Sequence, residues 1–193
     1  SPNDAMTLGI AMVHQHSLLT PPHSVTENII VGLKESRGLF LNISAAEKKI
    51  IQLSEKYGLK IDPKAIVGDL AVGEQQRVEI IKALYRDVDI LILDEPTSML
   101  TPQEEKALFS TLQSMVRQGL SIIFITHKLH EVMEVSNRVT ILRGGMVVGT
   151  VNTSETNETE LARMMVGRPV IESIAHPGYS NSPVVLHLEN VSA

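Results

Sequence analysis

Asp89-Ile90-Leu91-Ile92-Leu93-Asp94-Glu95-Pro96-Thr97-Ser98 is the stretch that decides the fold. After its first residue it is apolar without alternation, the pattern of a strand buried on both faces in a parallel sheet. It then runs straight into two carboxylates. A second stretch, Ile122-Ile123-Phe124-Ile125, repeats the pattern and runs into Thr126-His127. Ligands of open α/β sheets bind at the carboxyl ends of the strands. Both polar clusters therefore stand in a candidate active-site position.

Helix signals alternate with these strands, so the expected class is α/β with a mostly parallel sheet. Ser24-Val25-Thr26-Glu27, Ser44-Ala45-Ala46-Glu47 and Thr101-Pro102-Gln103-Glu104 each fit a capping box. The second opens a helix with Ile50, Leu53 and Tyr57 on one face, ending at Gly58. The third has proline at its first helical position, a core stripe of Leu108, Leu112, Met115 and Val116, and a stop at Gly119. A short helix follows His127 through Leu129, Val132 and Met133. Arg138 to Leu142 and Met146 to Val151 read as a hairpin around Gly144-Gly145. Asn157 caps a last helix that ends at Gly167. The proline- and serine-rich stretch 168–183 reads as a linker. Val184 to Val191 reads as a strand start with nothing left to pair against.

Composition narrows the function classes. The 193 residues are 43 % hydrophobic and 20 % charged, which excludes a disordered chain. A formal net charge of −5 with no basic block makes a poor nucleic-acid binder. Without cysteine there is no disulfide framework and no thiolate metal site. No apolar run approaches the roughly 18 residues of a spanning helix. The chain begins Ser1-Pro2-Asn3-Asp4, with neither an initiator methionine nor a signal-peptide pattern, and reads as a fragment. The eight methionines sit mostly in apolar surroundings, where core packing is the default.

Four islands stand in order along the chain: Gln15 after the strand-like Ile10 to His14, Leu70 to Arg77 at the opening of a helix, Leu93 to Ser98, and Thr126-His127. Flanked by His14 and His16, Gln15 invites a metal-site reading. Side chains one and two apart on a strand end do not readily converge on one ion.

This ordered set resembles the ATPase cassette of ABC transporters. Gln15 matches the Q-loop, Leu70 to Glu74 the signature motif, and Ile90 to Glu95 the Walker B strand. Ser98 to Thr101 matches the D-loop and His127 the switch histidine. The wording of Met12 to His16, Val72 to Glu79 and Leu100 to Glu104 is closest to the double-cassette ATPases of simple-sugar and nucleoside importers. The resemblance implies the C-terminal part of a P-loop (RecA-like) cassette. Residues 1–21 would end a core strand and carry the Q-loop, and 22–87 would form a helical subdomain holding the signature. Residues 88–167 would form the core with Walker B, D-loop and switch histidine, 168–183 a linker, and 184–193 the first strand of a second cassette.

The resemblance also implies roles. Asp94 would hold Mg²⁺ through a water, and Gln15 would reach the metal and the attacking water. Glu95 would polarise that water as general base. His127 would stabilise charge developing on the γ-phosphate. Ala71, Val72, Gly73 and Glu74 would present the N-terminus of a helix to ATP held by the opposite cassette, with Ser98 and Thr101 in the D-loop beside it. Implied partners are membrane permease subunits, the second cassette and, indirectly, a substrate-binding protein. The implied location is peripheral, at the cytoplasmic face of the cell membrane, and no nucleic acid is expected.

Three departures qualify the resemblance. No Gly-x-x-x-x-Gly-Lys-Ser/Thr occurs, so the P-loop lysine, hydroxyl and backbone cradle are missing and the chain alone is expected to be inactive. The signature serine is Ala71, and Thr101 stands at the D-loop aspartate position. The competing classes are a soluble non-transport ABC ATPase and a nucleotide-incompetent docking module. The linker is short and not basic, unlike that of the translation-factor type, and no heptad run matches the coiled-coil insertions of DNA-maintenance ATPases.

Overall fold

The computed structural model describes residues 1–32 and 42–167. The expected linker and final strand lie outside these residues. Three strands form a parallel sheet in the order β1 (Ile10–Val13), β2 (Ile90–Asp94), β3 (Ser121–Ile125). Ile10 pairs with Ile90 and Val13 with Leu93, while Ile90 pairs with Ser121 and Asp94 with Ile125. The strands thus end together, and the loops that leave them meet on one edge.

The connection from β1 to β2 carries α2 (Val25–Ile30), α3 (Ile43–Tyr57) and α4 (Val72–Leu84). The return to β3 runs through α5 (Pro102–Arg117), and α6 (Leu129–Val135) follows it. A hairpin, β4 (Arg138–Arg143) and β5 (Met146–Asn152), and helix α7 (Glu158–Val166) complete the described chain. A short α1 (Pro2–Thr7), not anticipated from the sequence, precedes β1. Its start is held by the Ser1 hydroxyl and terminal amine on Asp4.

Local chemistry accounts for the helix ends. Ser24 and Thr101 form complete capping boxes with Glu27 and Glu104, and Asn157 accepts from the Glu160 N–H. The predicted box at Ser44 is corrected. Helix α3 begins earlier, with the Asn42 carboxamide accepting from the Ala45 N–H at 3.0 Å. Asn is as strong an N-cap as Ser, so the first available cap wins and Ser44 falls inside the helix. Gly58 and Gly167 close their helices at φ +70° and +77°, the left-handed cap that glycine adopts without a Cβ penalty.

One hydrophobic cluster joins sheet and helices. Ala11, Val13, Leu91 and Leu93 pack with Val78 and Ile81 of α4 and Leu108, Leu112 and Met115 of α5. Phe109 meets Phe124 edge to face at 6.1 Å. The strands are not buried on both faces, which corrects the sequence expectation. Met12, Ile123 and Ile125 share the opposite face and are 40 %, 51 % and 44 % exposed. Helices α4 and α5 cover one face, and among the described residues nothing buries the other. Val116 likewise lies outside the α5 stripe, exposed one step round the helix from fully buried Met115. Met6, Met12, Met99 and Met146 are also exposed, so core packing does not describe the methionines as a group.

Candidate functional site

The parallel sheet brings three separate islands to one point. Gln15 lies two residues beyond β1, Glu95 follows β2 directly, and His127 lies two residues beyond β3. The Gln15 side-chain amide donates to Glu95 Oε2 at 2.8 Å, and His127 Nδ1 lies 2.9 Å from Glu95 Oε1. Each oxygen of one carboxylate is therefore engaged by a different strand end. Glu95 holds a left-handed backbone, φ +43°, which is rare for a side-chain-bearing residue. Its N–H donates to the Ile125 carbonyl at 2.9 Å, so the turn is tied to β3 where the sheet ends. Asp94, the last residue of β2, is half-buried beside it.

The loop after Gln15 is anchored from two sides. Glu79 of α4 accepts from the Leu18 N–H at 2.7 Å and the Ser17 hydroxyl at 3.0 Å. Buried Asn28 of α2 bonds Thr20 through both its N–H and its carbonyl. His14 and His16 are exposed, and neither joins a cluster of metal-ligating groups among the described residues.

Ala71 to Glu74 form the N-cap and first turn of α4, and no hydrogen bond joins them to Gln15, Glu95 or His127 among the described residues. Ala71 is the N-cap. Glu74 reaches back to its N–H at 3.1 Å, but alanine offers no oxygen in return, so only half a capping box forms. Ala71→Ser completes it and stabilises the chain by about 0.5–2 kcal/mol, read as a higher midpoint in thermal unfolding. An unchanged midpoint contradicts the assignment. Val72 is exposed and Gly73 buried. A Cβ built on Gly73 would overlap the Glu104 carboxylate of α5, which would have to shift to admit it. Ser98 lies exposed in the turn between β2 and α5, its N–H on the Glu95 carbonyl, and Thr101 caps α5.

Sequence reasoning missed a buried network beneath the cluster. Glu131 of α6 has no exposed surface. It accepts from the Thr97 and Thr126 hydroxyls, the latter at 2.6 Å, and pairs with Lys128 Nζ at 3.0 Å. The available signal was slight: one acid among Leu129, Val132 and Met133, three residues after a lysine. Burial pushes the Glu131 carboxyl up, but the two hydroxyls and the ammonium outweigh it, and its pKa falls below the ordinary 4.5. The unfolded chain therefore takes up this proton first. Stability from Glu131 is full above about pH 4.5 and is lost as pH falls through the lowered folded value. Glu131→Gln removes that dependence, so thermal midpoints of wild type and variant converge on acidification. A constant gap overturns the assignment.

Hard oxygen donors suit Mg²⁺, and the Asp94 carboxylate and the Gln15 side-chain carbonyl are donors of that kind; the Gln15 side-chain nitrogen is bonded to Glu95. For ATP the fit is partial. A triphosphate needs a cradle of backbone N–H groups, and the sequence has no P-loop motif to build one.

The ABC transporter family model matches residues 2–98, half of the chain, and the chain belongs to this family. It is 45 % identical over 192 residues to the nucleoside import ATP-binding protein NupA of Lactococcus lactis subsp. cremoris, covering all of this chain and 38 % of that protein. It is 48 % identical over 170 residues to the guanosine import ATP-binding protein NupO of Bacillus subtilis, covering 88 % and 33 %. The glucose import ATP-binding protein TsgD13 of Haloferax volcanii is 45 % identical, covering all of this chain and 40 % of that protein. The chain thus spans no more than about two fifths of these curated relatives. Among solved structures, the ADP conformation of MJ1267, an ATP-binding cassette of an ABC transporter, superposes with a TM-score of 0.69 at 18 % identity, covering 86 % of this chain and 72 % of that one. That likeness shows a shared fold.

Proposed function

We propose that this chain is part of the ATP-hydrolysing subunit of an importer for nucleosides or simple sugars. The observation that carries the reading is Glu95, gripped between Gln15 and His127 where three parallel strands end. A carboxylate so placed can take a proton from an attacking water. The left-handed turn at Glu95 fixes the direction in which its side chain leaves the sheet. Gln15 orients the carboxylate and the water. His127, two-thirds exposed, can turn toward a phosphate and neutralise its developing charge. Asp94 and the carbonyl of Gln15 would hold Mg²⁺, which supplies charge neutralisation at the phosphates. The N-cap and first turn of α4, from Ala71 to Glu74, with Ser98 and Thr101, would face nucleotide held by a second cassette.

The import reading rests on the named relatives. In it, residues 22–87 dock on membrane permease subunits, and a substrate-binding protein acts at one remove. The subunit sits at the cytoplasmic face of the membrane. No described helix is long and apolar enough to cross a membrane.

Calorimetric titration with MgATP tests the assignment of the phosphate-holding residues. The 193-residue chain gives no binding, because it has no P-loop motif. Joined to a segment bearing the Gly-x-x-x-x-Gly-Lys-Ser/Thr motif, it binds and hydrolyses MgATP. Micromolar binding by the chain alone overturns the phosphate assignment, and a folded, joined chain that binds nothing overturns the ATPase reading.

A further inference from the structure

The described residues hold one cluster with metal-ligand geometry, Glu105, His130 and Glu131. Its centre already contains a cation. Lys128 Nζ lies 3.0 Å from Glu131 and 3.8 Å from Glu105, and it also donates to the Thr97 carbonyl and hydroxyl at 3.3 Å. His130 Nε2 sits 3.1 Å from the far oxygen of Glu105. A buried carboxylate is costly without such compensation. An acid with two hydroxyl donors and an ammonium is fully served by the protein itself.

The position of the two hydroxyls gives the network its meaning. Thr97 follows Glu95 by two residues, in the turn that leaves β2. Thr126 immediately precedes His127, in the loop that leaves β3, and its hydroxyl also accepts from the Lys128 N–H at 3.0 Å. Glu131 bonds one hydroxyl with each of its oxygens. It is a fully buried rivet between the loop that carries Glu95 and the loop that carries His127.

We infer that Glu131 is a positioning residue, which sets the separation of these two loops and thereby the contacts of Gln15 and His127 with Glu95. The inference takes its catalytic meaning from the proposed function. The geometry it asserts exists without nucleotide and is tested without it.

The experiment is NMR of the 193-residue chain. The Gln15 side-chain amide and the His127 ring serve as reporters, since both touch Glu95. Thr97→Val and Thr126→Val keep shape and remove one hydroxyl each. Each is expected to shift both reporters, and Thr97→Ser and Thr126→Ser to return them to their wild-type positions. Ser54→Ala, which removes an α3 hydroxyl bonded to the Leu59 carbonyl just past the helix end, is expected to leave both reporters in place. Valine variants that unfold at lower temperature while both reporters keep their wild-type positions overturn the inference, because Glu131 is then a stabilising group only. Equal shifts in Ser54→Ala overturn it as well. Reporter shifts together with undiminished ATP turnover in a Glu95→Gln variant of the chain completed with a P-loop leave the positioning intact and sink the catalytic reading instead.

Discussion

Glu95→Gln lowers ATP turnover of the chain completed with a P-loop by about 10²–10⁴-fold, the range a general base contributes. The substitution keeps size and planarity. Its carbonyl still accepts from the Gln15 amide, and the turn is held by the backbone bond from residue 95 to Ile125, which no side chain supplies. The thermal midpoint should therefore stay near wild type while turnover collapses. Nucleotide affinity should persist, since Glu95 is not assigned to hold phosphate. Turnover within a few-fold of wild type would remove Glu95 from the role of base.

Leu93→Ala destabilises the chain by about 2–5 kcal/mol, the cost of emptying a well-packed leucine site. Leu93 is fully buried on the covered face of the central strand, with Val13 paired on one side and Phe124 on the other. Ile123→Ala is the matched control. It sits on the uncovered face, half exposed, and should change stability by no more than about 0.5 kcal/mol. Denaturant midpoints compare the two. Similar losses would mean that the open face is buried in solution, and the description of a one-sided sheet would fail.

Much of this architecture was legible in the residues. Ser24, Thr101 and Asn157 announce their helices because a cap is local chemistry, decided within four residues. The polar ends of β1, β2 and β3 were legible because a parallel sheet aligns its carboxyl ends whatever the intervening length. Ser44 misled because two acceptable caps lie two residues apart and the pattern cannot rank them. Which face of the sheet stays open was not legible. Ile92 and Ile123 look as apolar as Leu91 and Phe124, and only the placement of α4 and α5 divides them. Glu131 was hidden for the same reason: its partners Thr97 and Thr126 are 34 and five residues away, and no local rule connects them.

Gly73 carries a last consequence. The carboxylate that a side chain there would strike belongs to Glu104, whose other oxygen holds the Thr101 N–H and hydroxyl. Positions 73 and 104 are thus one steric unit spanning two helices. A larger residue at 73 must push the Glu104 carboxylate aside, and that shift loosens its hold on Thr101. A side chain at 73 is therefore felt one helix away, in the turn that carries Ser98.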